Sequence, residues 1–215
     1  MMPTTEGALD MKMDLTQVLD GFSGNEHSFG VFPLYRDVVE LMAEARTSYV
    51  LTLQISHGGP PAGADFIARN APLSDPRIAK WYPPNVRERA FARVPWVTPR
   101  DYVYGYMAAD AAAIARAGGV VGMGSHGNNP GIGMHWEMQA HAAGGMSPLE
   151  VLRAATLGSA TTIGRAAEIG SIEPGKFADF LILSADPLAD IRNTQSIVQV
   201  VKNGRVYDAG TLEYQ

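Results

Sequence analysis

The sequence predicts an α/β protein, on three observations. Short β-rich runs alternate with helical apolar spacing through residues 15–157, the pattern of parallel strands joined by helices. One of those runs, SYVLTLQIS at residues 48–56, is almost continuously apolar, as in strands covered on both faces. The last fifty residues then switch to an antiparallel signature, with Asn203-Gly204 between two alternating runs.

The elements follow in order. The opening MMPTTEGALDMKMD has neither a basic nor an apolar stretch, so no signal peptide is expected there, nor any structure of its own. Leu15, Val18 and Leu19 predict a short helix ending near Gly21, and a brief strand is expected at 24–27. Pro33 is expected to open a helix that places Leu34, Val38, Leu41, Met42 and Ala45 on one face. The strand at 48–56 comes next. Residues 57–97 contain seven prolines and read as irregular; a stretch of that length suits a lid or insertion better than a plain connection.

Thr98-Pro99-Arg100-Asp101 predicts a capped helix start, with the helix running through DAAAIARA to Ala117 and stopped by Gly118-Gly119. VVGMGS at 120–125 is the third expected parallel strand. A short helix is expected before Gly144-Gly145. Ser147-Pro148-Leu149-Glu150 is a capping box opening a helix to about Leu157. An apolar strand at 177–183, a turn at Ala185-Asp186-Pro187 and a hairpin at 197–208 complete the chain.

Composition excludes several classes of function. The 215 residues are 46% hydrophobic, enough for a real core. Lys and Arg number 17 against 22 Asp and Glu, a formal charge of -5, which gives no reason to propose nucleic-acid or membrane-surface binding. No cysteine is present, so disulfides, thiolate metal sites and a cysteine nucleophile are excluded. No apolar run reaches membrane-spanning length. The sequence assigns no compartment.

Histidines carry the candidate chemistry. His27, His57 and His126 stand at or just after the expected C-terminal ends of the three parallel strands. Ligands and catalytic groups converge at that edge in parallel α/β proteins, and neutral imidazole is a common metal ligand. A single histidine after a strand is more often an ordinary loop residue; three in matching positions favour a shared site. His135 and His141 are six residues apart on an expected helix and fall on different faces, so they are not expected to share a metal. A structural role suits His141, whereas His135 and Glu137 can face the same rim as His126.

The glycine-rich residues 124–133 lack both the phosphate-loop ending and the dinucleotide spacing, so nucleotide binding is discounted. A loop that lets backbone approach a substrate and a plain turn fit them equally well. No GxSxG element supports a serine nucleophile, and no carboxylate pair stands out.

Residues 147–208, with GSIEPGKFADFLIL followed by KNGRVY, resemble the C-terminal end of the amidohydrolase superfamily, in particular its imidazolonepropionase-like and prolidase-like members. DGFSGNEHS at 20–28 and GSHGNNPGIGMHWEMQAHAAGGMSP at 124–148 further resemble bacterial amidohydrolases that carry a β-propeller. The resemblance implies the C-terminal portion of a (β/α)8 barrel, strands six to eight, over residues 1–165. It also implies the C-terminal half of a composite β-sandwich over 166–215.

It implies one or two divalent metals, commonly zinc, and hydrolysis of amide or related C–N bonds in a small-molecule substrate. His27 matches a metal ligand after the sixth strand. His126 stands after the eighth, as metal ligand or catalytic base. His57 and His135 are expected at the substrate. The HxH ligand pair and the bridging lysine of the family are absent, and Thr4 stands where the fifth-strand histidine is expected. A truncated hydrolase lacking several ligands is therefore expected. The alternative is an inactive assembly module, its open edge covered by a second copy or by an N-terminal half of the same enzyme. Isomerase or deaminase chemistry on the same metal scaffold stays open.

Overall fold

A computed structural model describes residues 2–8, 10–55, 60–93, 96–126 and 129–215. Its centre is a four-stranded parallel sheet, β1 Thr4–Thr5, β2 Gly24–Glu26, β3 Ser48–Val50 and β4 Val121–Gly122, in the spatial order of the sequence. Thr5 aligns with Asn25, Asn25 with Tyr49 and Tyr49 with Val121. The fourth strand is β1, in the segment expected to lack structure. Two residues are too few to show an alternating pattern, so only pairing with β2 reveals it.

Helices lie behind the sheet. Helix α1 (Met11–Leu19) is capped by Asp10, whose side chain accepts the Met13 N–H. Helix α2 is Arg36–Ala45. Pro33 does not open it: Pro33 sits three residues upstream, after a cis bond from Phe32. The stretch read as irregular is helical, with α3 (Ala62–Asn70), α4 (Pro76–Trp81) and α5 (Pro84–Ala90). Pro61, Pro72, Pro76, Pro83 and Pro84 sit at N-caps or first helical positions, where the missing N–H costs nothing.

Helix α6 (Tyr104–Arg116) begins later than its expected cap, because Thr98 and Asp101 close a turn of their own, with the Thr98 N–H and hydroxyl both on Asp101 Oδ2. Helix α7 is Ile132–Ala143. The capping box opens α8 (Pro148–Arg153) as expected, but the helix continues through a π-helical turn, Ala154–Gly158, into α9 (Ser159–Thr162).

Tyr49 of β3, with Leu51 and Leu53 that follow it, is essentially sealed from water against the helices. Trp136 of α7 lies at the centre of that layer. It stacks on Phe66 at 5.9 Å and meets Phe91 edge-on at 6.1 Å, so helix α3 and the end of α5 are part of the core. Buried polar groups join the helices. Asp65 of α3 accepts the Tyr104 hydroxyl (2.7 Å) and Arg69 Nε (2.7 Å). Asp110 of α6 accepts the Leu34 N–H (2.9 Å).

The outer edge of β4 meets no strand among the described residues. Tyr49 N–H donates to the Val120 carbonyl, so the next carbonyl, that of Val121, points away from β3. The π-helical turn covers it. Gly158 packs so closely that a Cβ would lie 2.1 Å from Val121 O. Ser159 Oγ accepts the Met123 N–H (3.0 Å) and donates to the Ala154 carbonyl (2.9 Å).

A separate antiparallel sheet ends the chain: β5 (Phe180–Leu183), β6 (Ile197–Lys202) and β7 (Arg205–Asp208). Asn203 and Gly204 both adopt positive φ in its hairpin, as the two-residue turn requires. Phe180, Leu181 and Ile182 of edge strand β5 are exposed. Between this sheet and the parallel one lies a cleft of about 1330 Å³, lined among others by Val50, Met123, Met138, Leu152, Ile163 and Phe180.

The contact at Gly158 makes a sharp stability prediction. Gly158→Ala should cost about 1–3 kcal/mol or more in chemical denaturation, by forcing backbone apart at β4. Gly105→Ala on α6, where a Cβ meets nothing within 4 Å, should instead gain about 0.5–1 kcal/mol.

Candidate functional site

The aligned register places the residues that follow the strands on one rim. Glu6 comes directly after β1 and His27 directly after β2; Thr52 lies two residues beyond β3, and His126 lies in the turn after β4. Glu6, His27 and His126 each bring one ligand atom to within 4.8 Å of the others. His27 Nε2 is 3.1 Å from Glu6 Oε1, and the His27 and His126 rings are 5.4 Å apart, tilted by 44°. His27 is buried, whereas Glu6 and His126 are exposed.

The His27 ring is oriented from behind. Its Nδ1 hydrogen-bonds to Thr52 Oγ1, and the Thr52 hydroxyl donates to the Leu51 carbonyl (2.7 Å). With that hydroxyl proton committed, Thr52 Oγ1 accepts and Nδ1 donates, while Nε2 is the nitrogen that faces Glu6.

Backbone strain gathers here. His27 (φ 76°), Thr52 (φ 53°) and His126 (φ 57°) all hold left-handed conformations. Such a conformation costs on the order of 1–3 kcal/mol per non-glycine residue and persists where surrounding structure enforces it, typically at functional sites. For Thr52, which is β-branched, it is a genuine outlier.

Electrostatics around the rim follow burial. Burial holds the Glu26 carboxyl above the usual carboxylate range, His27 pulls it back and Glu6 adds to the rise. Behind the rim, both oxygens of Glu137 on α7 accept backbone N–H groups, Leu53 at 2.8 Å and Gln54 at 3.0 Å. Burial pushes the Glu137 carboxyl up to about 8, against the pull of those bonds. His141, one turn along α7, is fully buried and pushed down to about 4, with Nδ1 bonded to the Glu137 carbonyl at 3.0 Å.

The residues expected from sequence divide accordingly. His27 and His126 come together. His57 lies outside the described residues, as do Gly127 and Asn128 of the glycine-rich loop. His135 bonds through Nδ1 to Thr194 Oγ1 (2.9 Å) in the 3₁₀ turn Ile191–Gln195, joining α7 to the C-terminal segment. Glu137 does not face the rim openly; it is sealed behind residues 53–54. Glu6 and Thr52 were missed. Glu6 sits after a strand too short to detect, and Thr52 inside a run that read as continuous strand.

A carboxylate and two imidazoles gathered beyond parallel strand ends make an α/β protein with a candidate cation site. Residues 98–207, just over half of the chain, match the amidohydrolase family. The chain belongs to that family, and its relatives are of the imidazolonepropionase-like and prolidase-like kind. It is 29% identical over 164 residues to an imidazolonepropionase of Geobacillus kaustophilus, covering 69% of this chain and 39% of that protein. It is 29% identical over 185 residues to an imidazolonepropionase of Shouchella clausii, covering 77% and 41%. A solved Xaa-Pro dipeptidase with bound methionine aligns over 96% of this chain and 44% of its own, with TM-score 0.61 and 23% identity. A putative prolidase from Bifidobacterium longum aligns over 92% and 44%, with TM-score 0.59 and 25% identity. The chain thus spans about two fifths of the length of the relatives it matches. Among the described residues no helix is long and apolar enough to cross a membrane.

His135 generates a pH prediction. Burial, then Arg77, pushes it from 6.5 down to about 4. Below 6.5 the unfolded chain takes up a proton that the folded chain refuses. Its contribution is therefore full above 6.5 and lost as pH falls toward 4. In urea titrations the stability gap between the wild type and His135→Gln should narrow by on the order of 1–2 kcal/mol from neutrality to about pH 5.

Proposed function

We propose that this chain forms part of the catalytic core of a metal-dependent hydrolase of amide or related C–N bonds in small molecules, with Glu6, His27 and His126 holding a divalent cation, zinc by resemblance. The clustering of those three donors carries the reading. Two imidazoles and a carboxylate suit zinc, whose ligands stand roughly 3.3 Å apart in a tetrahedral shell. The pair His27 Nε2 and Glu6 Oε1 already has that spacing.

A divalent cation held by Glu6, His27 and His126 would supply Lewis acidity toward water and a substrate carbonyl. The protein's own groups do the rest. Thr52 fixes the His27 tautomer, as outer partners of metal-binding histidines do. His126 serves as ligand or as acceptor of the water proton, and its place beside Glu6 and His27 favours the ligand role. His57 and His135 are read as substrate contacts, although for His135 the Thr194 bond points to joining α7 to the C-terminal 3₁₀ turn. The parallel sheet and its helices, residues 1–165, are read as part of a (β/α)8 barrel. Residues 166–215 are read as part of a composite β-sandwich. Glu6 raises the protein ligands from two to three, enough for a catalytic zinc with water in the fourth place. The HxH pair and the bridging lysine that the resemblance leads one to expect are absent from this sequence, so the chain should bind metal but hydrolyse weakly or not at all.

Zinc titration calorimetry tests the reading. One ion per chain is expected. His27→Ala and His126→Ala should each weaken binding by at least the ~10–100-fold typical of outer-partner loss, and Glu6→Gln should weaken it as well. His135→Ala should leave affinity unchanged. A wild-type protein with no saturable zinc binding overturns the assignment.

A second reading, an assembly module, is favoured by the exposed apolar strand β5 and the open cleft beside it. On this reading light scattering should show self-association that disappears in Leu181→Lys. A clean wild-type monomer argues against it.

A further inference from the structure

We propose that Glu137 is a positioning residue for the rim: its buried carboxyl group holds the backbone after β3 in the form that presents Thr52 to His27. The proposal rests on the reading of His27 as a metal ligand.

The chain of contacts is continuous. Glu137 Oε1 accepts the Leu53 N–H and Oε2 the Gln54 N–H, at 2.8 and 3.0 Å. Those two amides directly follow Thr52, whose left-handed backbone needs enforcement. Thr52 Oγ1 in turn takes His27 Nδ1. Helix α7 thereby reaches the candidate metal centre without touching it. Glu137 is fully buried and Leu53 nearly so, so water does not replace the carboxyl group as acceptor for the Leu53 N–H.

Only a carboxyl group does this at that place. Whatever its protonation, each of its oxygens keeps a lone pair for an N–H. The amide of glutamine has one oxygen and a nitrogen that cannot accept. A purely structural role would require only that the two amides be satisfied. A positioning role requires that losing one of them be felt at His27.

The experiment is a double-mutant cycle on the full chain with Glu137→Gln and Thr52→Val, read by zinc calorimetry, by imidazole nitrogen NMR of His27 without metal, and by thermal unfolding. Glu137→Gln should weaken zinc binding by about 10-fold or more, within the range for lost outer partners. Thr52→Val should do likewise, and the double variant should be no weaker than the worse single one, because both act through the same Nδ1 bond. The His27 nitrogen shifts should move alike in both single variants. Tyr104→Phe, which removes a buried bond to Asp65 elsewhere, should lower thermal stability but leave zinc affinity and His27 unchanged.

The proposal is overturned if Glu137→Gln lowers only thermal stability, if the two effects multiply, or if Tyr104→Phe weakens zinc binding equally. Should Glu137→Gln fail to fold, Glu137→Asp keeps both oxygens one methylene short and is read in the same way. Should the wild type bind no zinc, the metal reading falls, and the His27 shifts still decide whether Glu137 governs that ring.

Discussion

Four parallel strands in a common register impose the constraint on which the site depends. Because Thr5, Asn25, Tyr49 and Val121 stand level, the chain leaves every strand at the same edge, and the residues that follow meet there. The backbone must turn sharply at that edge, and His27, Thr52 and His126 do so in left-handed conformations without the help of glycine. The hydrogen bonds of ladder and rim, with the packing behind them, offset that strain.

Helix α7 supplies much of the support. Its Trp136 seats the aromatic layer from the 57–97 segment, its Glu137 ties the chain after β3, and its His135 reaches the C-terminal segment. Three successive residues point in three directions because helical positions advance by about 100° each. The helix is thus polar where it meets backbone and apolar where it meets side chains, and a simple amphipathic pattern does not describe it.

The two faces of the parallel sheet differ. One is closed by helices and buries Tyr49, Leu51 and Leu53; the other looks into the apolar cleft with Val50 and Met123. At β4 the edge is covered by a helical turn and Ser159 satisfies a backbone N–H, whereas β5 presents an apolar strand to solvent. An exposed apolar edge of that kind is a strand on which another chain can pair.

The sequence by itself determined the α/β class, the strands at His27 and His126, the capping box at Ser147, the Asn203-Gly204 hairpin and the family. Each is written in local chemistry: an apolar run, a cap, a turn dipeptide, a motif. Tertiary structure alone decided the rest. Strand β1 exists because β2 pairs with it, and the proline-rich segment is helical because Phe66 and Phe91 pack on Trp136. Glu6 and Thr52 join the site because sheet register, which links residues far apart in the chain, brings them beside His27. Long-range pairing of that kind leaves no periodicity in the sequence, and that is why those two residues escaped a reading of it.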